Sequence, residues 1–275
     1  MQLTGLFIYP VKSLRGFAVP AVGLDAWGLI GDRRFLVVDA NNRFLTQRAL
    51  PRMAQIDTAL EGGNLVLRNP HHGSAAVQLD EPGAAVTVQI WRDTVTTVDC
   101  GVEIAVWLSD FLRHPCKLVR MSPDFARPIH KPAARPEDRV GFADAAPALI
   151  ISEASLDHLN DRIIGNGGEP VPMNRFRPNL VISGCAAFAE DECAVLQIGG
   201  CRFRAAGRSA RCIITTTDQF TGDRGKEPLK TLATFRRDPE DPAKIYFGQN
   251  LINETKSGTL RLGDPVGLLH QSIQS

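Results

Sequence analysis

At 275 residues, with 44% apolar and 22% charged side chains, the chain has an ordinary globular composition and is long enough for one large or two ordinary domains. A net charge of +1 argues against non-specific nucleic-acid binding as the main activity, so no nucleic-acid polymer is expected as a partner, while local basic clusters stay open. No run reaches the roughly 18 to 20 uncharged apolar residues of a membrane-spanning helix. The segment MQLTGLFIYPVKS has no basic leader, long apolar block or small-residue cleavage site. A cytoplasmic protein with no membrane association is expected.

Six cysteines (Cys100, Cys116, Cys185, Cys193, Cys201, Cys212) form no CxxC pair and no close cluster of the kind that holds zinc or an iron–sulfur cluster. Most are expected to be free thiols packed as small hydrophobes.

In chain order, LTGLFIYPVKSLRGFAVP predicts an apolar strand, a tight loop from Pro10 to Gly16 and a second short apolar run. Pro10 fixes one φ and Gly16 relaxes another, which would hold Lys12 and Ser13 in a defined exposed turn. RFLVVDA and RFLTQ predict a hairpin about Asn41-Asn42, preceded by Gly31-Asp32-Arg33-Arg34. If the strand has begun, Arg33 and Arg34 point to opposite faces and one faces inward. Between Pro51 and Cys100, short apolar runs separated by Gly, Pro and Asn turns predict an antiparallel barrel or sandwich. His71-His72 resembles a metal-ligand pair but has no acidic or thiol neighbour, so a solvated loop is expected. VEIAVWLSDFL, residues 102–112, has the spacing of an amphipathic helix.

The proline- and charge-rich segment from Ser122 to Ile150 marks the end of a first domain or a long loop over a site. Ser152 and Ser155 offer caps for a short helix over Leu156 to Ile164, stopped by glycines. Arg175 and Arg177 would share one face of an extended segment, where their guanidinium groups could grip phosphate. VLQIGGCRFRAAG predicts a hairpin at Gly199-Gly200. It leads into RSARCIITTTDQFTGD, read as a strand edge carrying the Cys212 thiol at its start, followed by the β-branched run Ile213 to Thr217. A helix is expected from about Glu227, then a strand at YFGQNLI and a closing strand and turn at LRLGDPVGLL.

The ordered set PVKS (10–13), GDRRF (31–35), FxDxxP (142–147), FRPN (176–179), SARCIITTTD with TG and KEPL (209–229), FGQN (247–250) and GDPV (263–266) resembles the MOSC proteins. More narrowly, it resembles the branch with a MOSC N-terminal β-barrel domain, that of the mitochondrial amidoxime-reducing component and its bacterial relatives. The resemblance implies an α+β, β-rich fold: a MOSC N-terminal β-barrel domain over residues 1–115 and a MOSC β-barrel domain with peripheral helices over 116–275, with a cofactor cleft between them. It implies a molybdenum cofactor (Mo-molybdopterin) whose metal is ligated by Cys212, and no iron–sulfur cluster in this chain. Lys12, Ser13, Arg33, Ala145, Ala146, Arg177, Asn179, Arg211 and Asn250 match cofactor-binding positions, and Asp144 is the candidate either to orient the groups around the metal or to relay protons near it.

The activity implied is reduction of N-hydroxylated compounds (hydroxylamines, amidoximes, N-hydroxylated bases), with electrons from a separate ferredoxin, flavoprotein or cytochrome-type donor. A carrier of the cofactor, or of sulfur as a persulfide on Cys212, is the alternative. The chain departs from the pattern at Ala210, where eukaryotic relatives often carry serine, and at Asn250, where they often carry tyrosine.

Overall fold

The computed structural model describes residues 1–269. Strands β1 (Gln2–Ile8), β2 (Phe17–Ala18), β3 (Ala21–Asp25), β4 (Gly28–Leu29) and β5 (Phe35–Asp39) come first. They are followed by β6 (Asp57–Glu61), β7 (Asn64–Asn69), β8 (Gly73–Gln78), β9 (Ala85–Ile90) and β10 (Asp93–Asp99). Helix α1 (Val102–Leu112) and strand β11 (Cys116–Met121) precede a loop over residues 122–147. Beyond it lie β12 (Ala148–Ser152), α2 (Glu153–Gly165), β13 (Leu180–Ser183), β14 (Val195–Ile198), β15 (Cys201–Ala210), α3 (Leu229–Leu232), β16 (Tyr246–Asn253), β17 (Thr259–Arg261) and β18 (Val266–Leu269). The fold is β-rich with few helices, as expected. Among the described residues no helix is long and apolar enough to cross a membrane.

Eight strands form the largest sheet, in the order β18-β14-β15-β16-β12-β13-β1-β2, antiparallel except between β12 and β13. The start of β1 meets the start of β18 through a Gln2–Pro265 bridge and the bonds Leu3 N to Asp264 O and Val266 N to Met1 O, which curl the sheet back on itself. The inward faces pack Leu3, Leu6, Ile150, Leu180, Ile182, Leu196, Phe203 and Leu251 into one apolar cluster. The first strand of the chain is therefore a stave of the sheet built by residues 148–269. A second sheet has the order β5-β11-β10-β9.

The second arm of the expected 35–47 hairpin is reduced to bridges. Phe44 pairs with Val38 of β5 while Arg43 pairs with Gln89 of β9. That arm spans from one outer strand of the second sheet to the other, so it cannot zip along β5. The helix over 102–112 forms where its periodicity placed it; the helix expected over Leu156 to Ile164 starts three residues earlier, at Glu153, because Ser152 caps α2 by accepting from Ser155 N. The helix expected from Glu227 is a single turn.

Gly16 differs from its sequence reading. The left-handed φ of this loop belongs to Ser13, at 67°. Gly16 is needed for space, because a Cβ there would collide with the Tyr9 ring and the Ile8 carbonyl oxygen. Gly16→Ala is therefore expected to destabilise the protein by about 1–3 kcal/mol as an overpacking change. The check is a lowered denaturant midpoint at unchanged m-value; an unchanged midpoint would show that the loop yields freely.

Candidate functional site

A cavity of about 220 Å³ opens where the loop after β1, the turn before β5, the 122–147 loop, the segment before β13 and the end of β15 meet. All eleven residues that the family resemblance picked out for the cofactor and the metal line it. Lys12, Ser13 and Arg33 come from the first sheet-forming segments, and Asp144, Ala145 and Ala146 from the long loop. Arg177 and Asn179 precede β13, Arg211 and Cys212 follow β15, and Asn250 lies in β16.

Backbone strain is concentrated here. Ser13, Arg33 and Arg177 have φ of 67°, 46° and 55°, a region that non-glycine residues rarely enter. Such residues persist only when their surroundings over-determine them. At Arg33 the surroundings are explicit: its N–H donates to Tyr9 O, its carbonyl accepts from Phe142 N, and Nη1 binds Asp32 at 2.7 Å and Asn179 Oδ1 at 3.0 Å. Arg33, and not Arg34, faces the cavity; Arg34 turns away to Asp25, 2.8 Å distant.

Arg175 and Arg177 do not share an extended face. Met173–Arg175 is a 3₁₀ turn, closed by Phe176 N to Met173 O and Arg177 N to Asn174 O, because burying Phe176 against Phe247 winds the segment inward. Arg175 is thereby sent to Thr216 O and Asp218, and only Arg177 reaches the cavity.

The run after Cys212 also departs from expectation. Ile213–Thr216 is a 3₁₀ turn and not a strand. Thr215 and Thr216 hydroxyls donate to the carbonyls of Cys212 and Ile213, an alternative to ladder pairing that overrides β-branched propensity. The thiol consequently leads a turn, with Ile214 and Thr215 also on the cavity wall.

Six cations line the cavity, Lys12, Arg33, Arg48, Lys131, Arg177 and Arg211, against one carboxylate, Asp144. Burial pushes Lys12 down to about 8, against the opposing pull of Asp144. Its Nζ donates to Asp144 Oδ1 and to Phe142 O, the latter at 2.9 Å. Burial alone would raise the Asp144 carboxyl, but Lys12, Arg48 and the Trp91 indole together hold it well below the usual carboxylate range. Burial also lowers Arg177 and Arg211 to about 10, so both stay charged near neutrality. Arg33 and Arg177 lie 4.2 and 4.4 Å from the centre of the Tyr9 ring, whose phenol is pushed up to about 12 by burial.

Cys212 is half-buried and is the one cysteine among the cavity-lining residues. Burial raises the thiols of the other five, Cys100 and Cys193 to about 12. No group of three His, Cys, Asp or Glu able to hold a metal occurs among the described residues.

The donor set fits a sulfur-bearing, phosphorylated pterin on two counts: the excess of cations, and the buried Nε of Arg211, which has no hydrogen-bond partner. Arg211 is otherwise fixed by Ser209 Oγ at 2.9 Å and Phe176 O. The hydroxyl absent at Ala210 is thus present one residue earlier. Asn179 and Asn250 use their amides on the protein: Asn179 joins Arg33, Phe7 O and Leu149 N, and Asn250 donates to Gly207 O.

Arg48 and Lys131 escaped the sequence reading. Each sits in a charged, irregular stretch, and neither has a spacing that distinguishes it from a solvated residue. His71 is exposed as expected, but His72 is half-buried between Trp107 and Phe111, and neither lines the cavity.

The pattern of the MOSC N-terminal beta barrel domain matches residues 1–115, and that of the MOSC domain matches residues 137–267. Mitochondrial amidoxime-reducing component 1 of Homo sapiens is 36% identical over 97% of this chain and 82% of its own length. A molybdenum cofactor sulfurase of Danio rerio is 33% identical over 92% of this chain and 32% of its own. A Bordetella bronchiseptica protein of known solution structure is 26% identical over 40% of this chain and 92% of its own, with a TM-score of 0.33. With two domain matches in order and a relative aligned almost end to end, the chain belongs to the MOSC proteins that carry a MOSC N-terminal β-barrel domain, the family of the mitochondrial amidoxime-reducing components.

Proposed function

We propose that the cavity binds the molybdenum cofactor, with Cys212 as the protein's metal ligand, and that the protein reduces N-hydroxylated compounds with electrons from a separate redox protein. The observation that carries this reading is the meeting of one reachable thiol with six cations in the walls of a single cavity. A soft thiolate suits a metal otherwise bound by sulfur. Arg33, Arg177 and Arg211 present guanidinium groups suited to a phosphate, and Ser13, Asn250 and the Asp144 to Ala146 backbone offer polar groups to the pterin edges. The name of the human relative supports amidoximes as substrates.

Reduction of R–NHOH consumes two electrons and two protons and yields R–NH2 and water. When bound, the molybdenum cofactor supplies the two electrons. The chain's part is to place the substrate and provide protons. Lys12, lowered to about 8, is a cavity group able to hold and release a proton near neutrality. Asp144 stays ionised, so its part in the relay is to accept from Lys12 Nζ and keep the ammonium aimed into the cavity. A second reading, a carrier of cofactor or of sulfur on Cys212, draws support from the likeness to a cofactor sulfurase.

Protein purified from a cofactor-competent host should contain molybdenum and pterin in near-equal amounts. Cys212→Ser should lose bound metal and at least roughly a hundredfold in turnover, while its stability moves by no more than about 0.5 kcal/mol. Metal-free wild-type protein from such a host would sink the assignment, and sulfur transfer without turnover from an artificial electron donor would favour the carrier.

Lys12 is charged below about 8 and neutral above it. Affinity of the metal-free protein for phosphorylated pterin should therefore be greatest below that pH and fall, by roughly tenfold, as pH rises through it. Fluorescence titration of pterin checks this, and Lys12→Met should bind weakly with no such step; a step that survives in Lys12→Met would exclude the lysine as its source.

A further inference from the structure

A second concavity, of about 690 Å³, opens beside the first and shares Asp144 with it. Its walls are unlike those of the cationic cavity. Phe44 and Trp91 form an aromatic side, and Asp93, Arg127 and His130 a polar one.

Trp91 is in an unusual position. It is the first residue of the two-residue loop joining β9 to β10, where Ile90 pairs with Asp93. Its φ is 53°. Hairpin loops of this length select glycine, asparagine or aspartate for such a backbone, and a bulky side chain there is an outlier. The indole is nonetheless 41% exposed, so burial does not explain the choice. Its orientation is fixed. Nε1 donates to Asp144 Oδ1 at 3.2 Å, the Arg48 guanidinium lies 4.7 Å from the ring centre, and the Phe44 ring lies at 4.9 Å with a tilt of 54°.

The opposite side is equally built. His130 Nε2 meets Asp93 Oδ1 at 2.6 Å, and Asp93 Oδ2 accepts from Arg127 Nε at 2.7 Å. Arg127 is buried and also donates to Gly141 O and Ala143 O, the carbonyls just before Asp144. This arrangement ties the polar wall to the loop that carries Asp144. One nitrogen of the partly exposed His130 ring is occupied by Asp93, which leaves the other for a ligand.

We propose that this concavity is the subsite that selects the substrate, and that it takes planar, conjugated N-hydroxylated compounds. Their ring system lies against Trp91 and Phe44, His130 meets a polar edge, and the N–OH end passes over Asp144 toward Cys212. Aliphatic N-hydroxylated compounds lack the ring face and gain nothing from the subsite. The inference rests on the reductase reading for its direction of approach, while the binding it describes can be measured without turnover.

Ligand-observed NMR titration of the purified protein with benzamidoxime, and with acetamidoxime as the aliphatic counterpart, tests it. Wild type should bind benzamidoxime more tightly, and Trp91→Gly should weaken that binding by roughly tenfold, the scale of one lost stacking face. Glycine accepts the left-handed backbone, so Trp91→Gly keeps the fold, which its denaturant midpoint verifies. Trp91→Tyr should retain most of the affinity. In turnover, the preference for benzamidoxime over acetamidoxime, as kcat/KM, should fall by a similar factor in Trp91→Gly; the variant also removes a donor to Asp144, and any loss of rate from that source is common to both substrates and cancels in the ratio. Benzamidoxime binding that Trp91→Gly leaves unchanged, or no binding to wild type, overturns the subsite even if the protein is a reductase. Binding lost in Trp91→Gly with no turnover in metal-loaded wild type supports the subsite and overturns the reductase reading.

Discussion

The structure depends on keeping like charges together in a partly dehydrated place. Arg33 and Arg177 lie within 4.4 Å of one aromatic ring, that of Tyr9, and repel each other there. Three things hold them. The ring offers each a cation–π attraction of about 0.5–2 kcal/mol. Asp32, almost wholly buried, accepts from Arg33 and from the Tyr9 amide. Asn179 and the Arg177 carbonyl take further Arg33 donors. Tyr9 in turn is anchored to Pro178 O, 3.0 Å away, and needs the bare Cα of Gly16 beside it. The charge excess of the cavity is thus built into the packing of the β1 loop.

The same interlock explains why the site draws on distant parts of the chain. β1 is a stave of the large sheet next to β13, so the loop that follows it lies against the segment that precedes β13. Arg15 and Arg224 extend the seam: Arg15 reaches Asp57 and Gln219 O, and Arg224 reaches the carbonyls of Gln47 and Arg48. Among the described residues, four of the seven non-glycine residues with left-handed backbone, Ser13, Arg33, Trp91 and Arg177, line or border the cavity. That clustering matches sites at which local strain is tolerated because the side chain must be aimed.

Asp144 joins the two concavities. It lies at the contact of the cationic cavity with the aromatic concavity, and it receives Lys12 from one side and the Trp91 indole from the other. Held ionised by these donors, it is a fixed acceptor and not a mobile acid. Lys12 beside it has a lowered affinity for its proton, which comes first from burial.

Local chemistry in the sequence determined a good deal. The strands from Asp57 to Asp99, the helix over 102–112, the Ser152 cap and the Gly199-Gly200 turn all follow from alternation, periodicity and capping, which act over a few residues. The ordered motifs identified the family and named the eleven residues that the cavity brings together. What local rules could not see was decided by tertiary packing. Burial of Phe176 separated Arg175 from Arg177, threonine hydroxyls turned the β-branched run after Cys212 into a 3₁₀ turn, and the link from β5 to β9 replaced a hairpin arm. Arg48, Lys131 and Trp91 joined the site only through contacts across tens of residues, between side chains whose spacing in the chain carries no period.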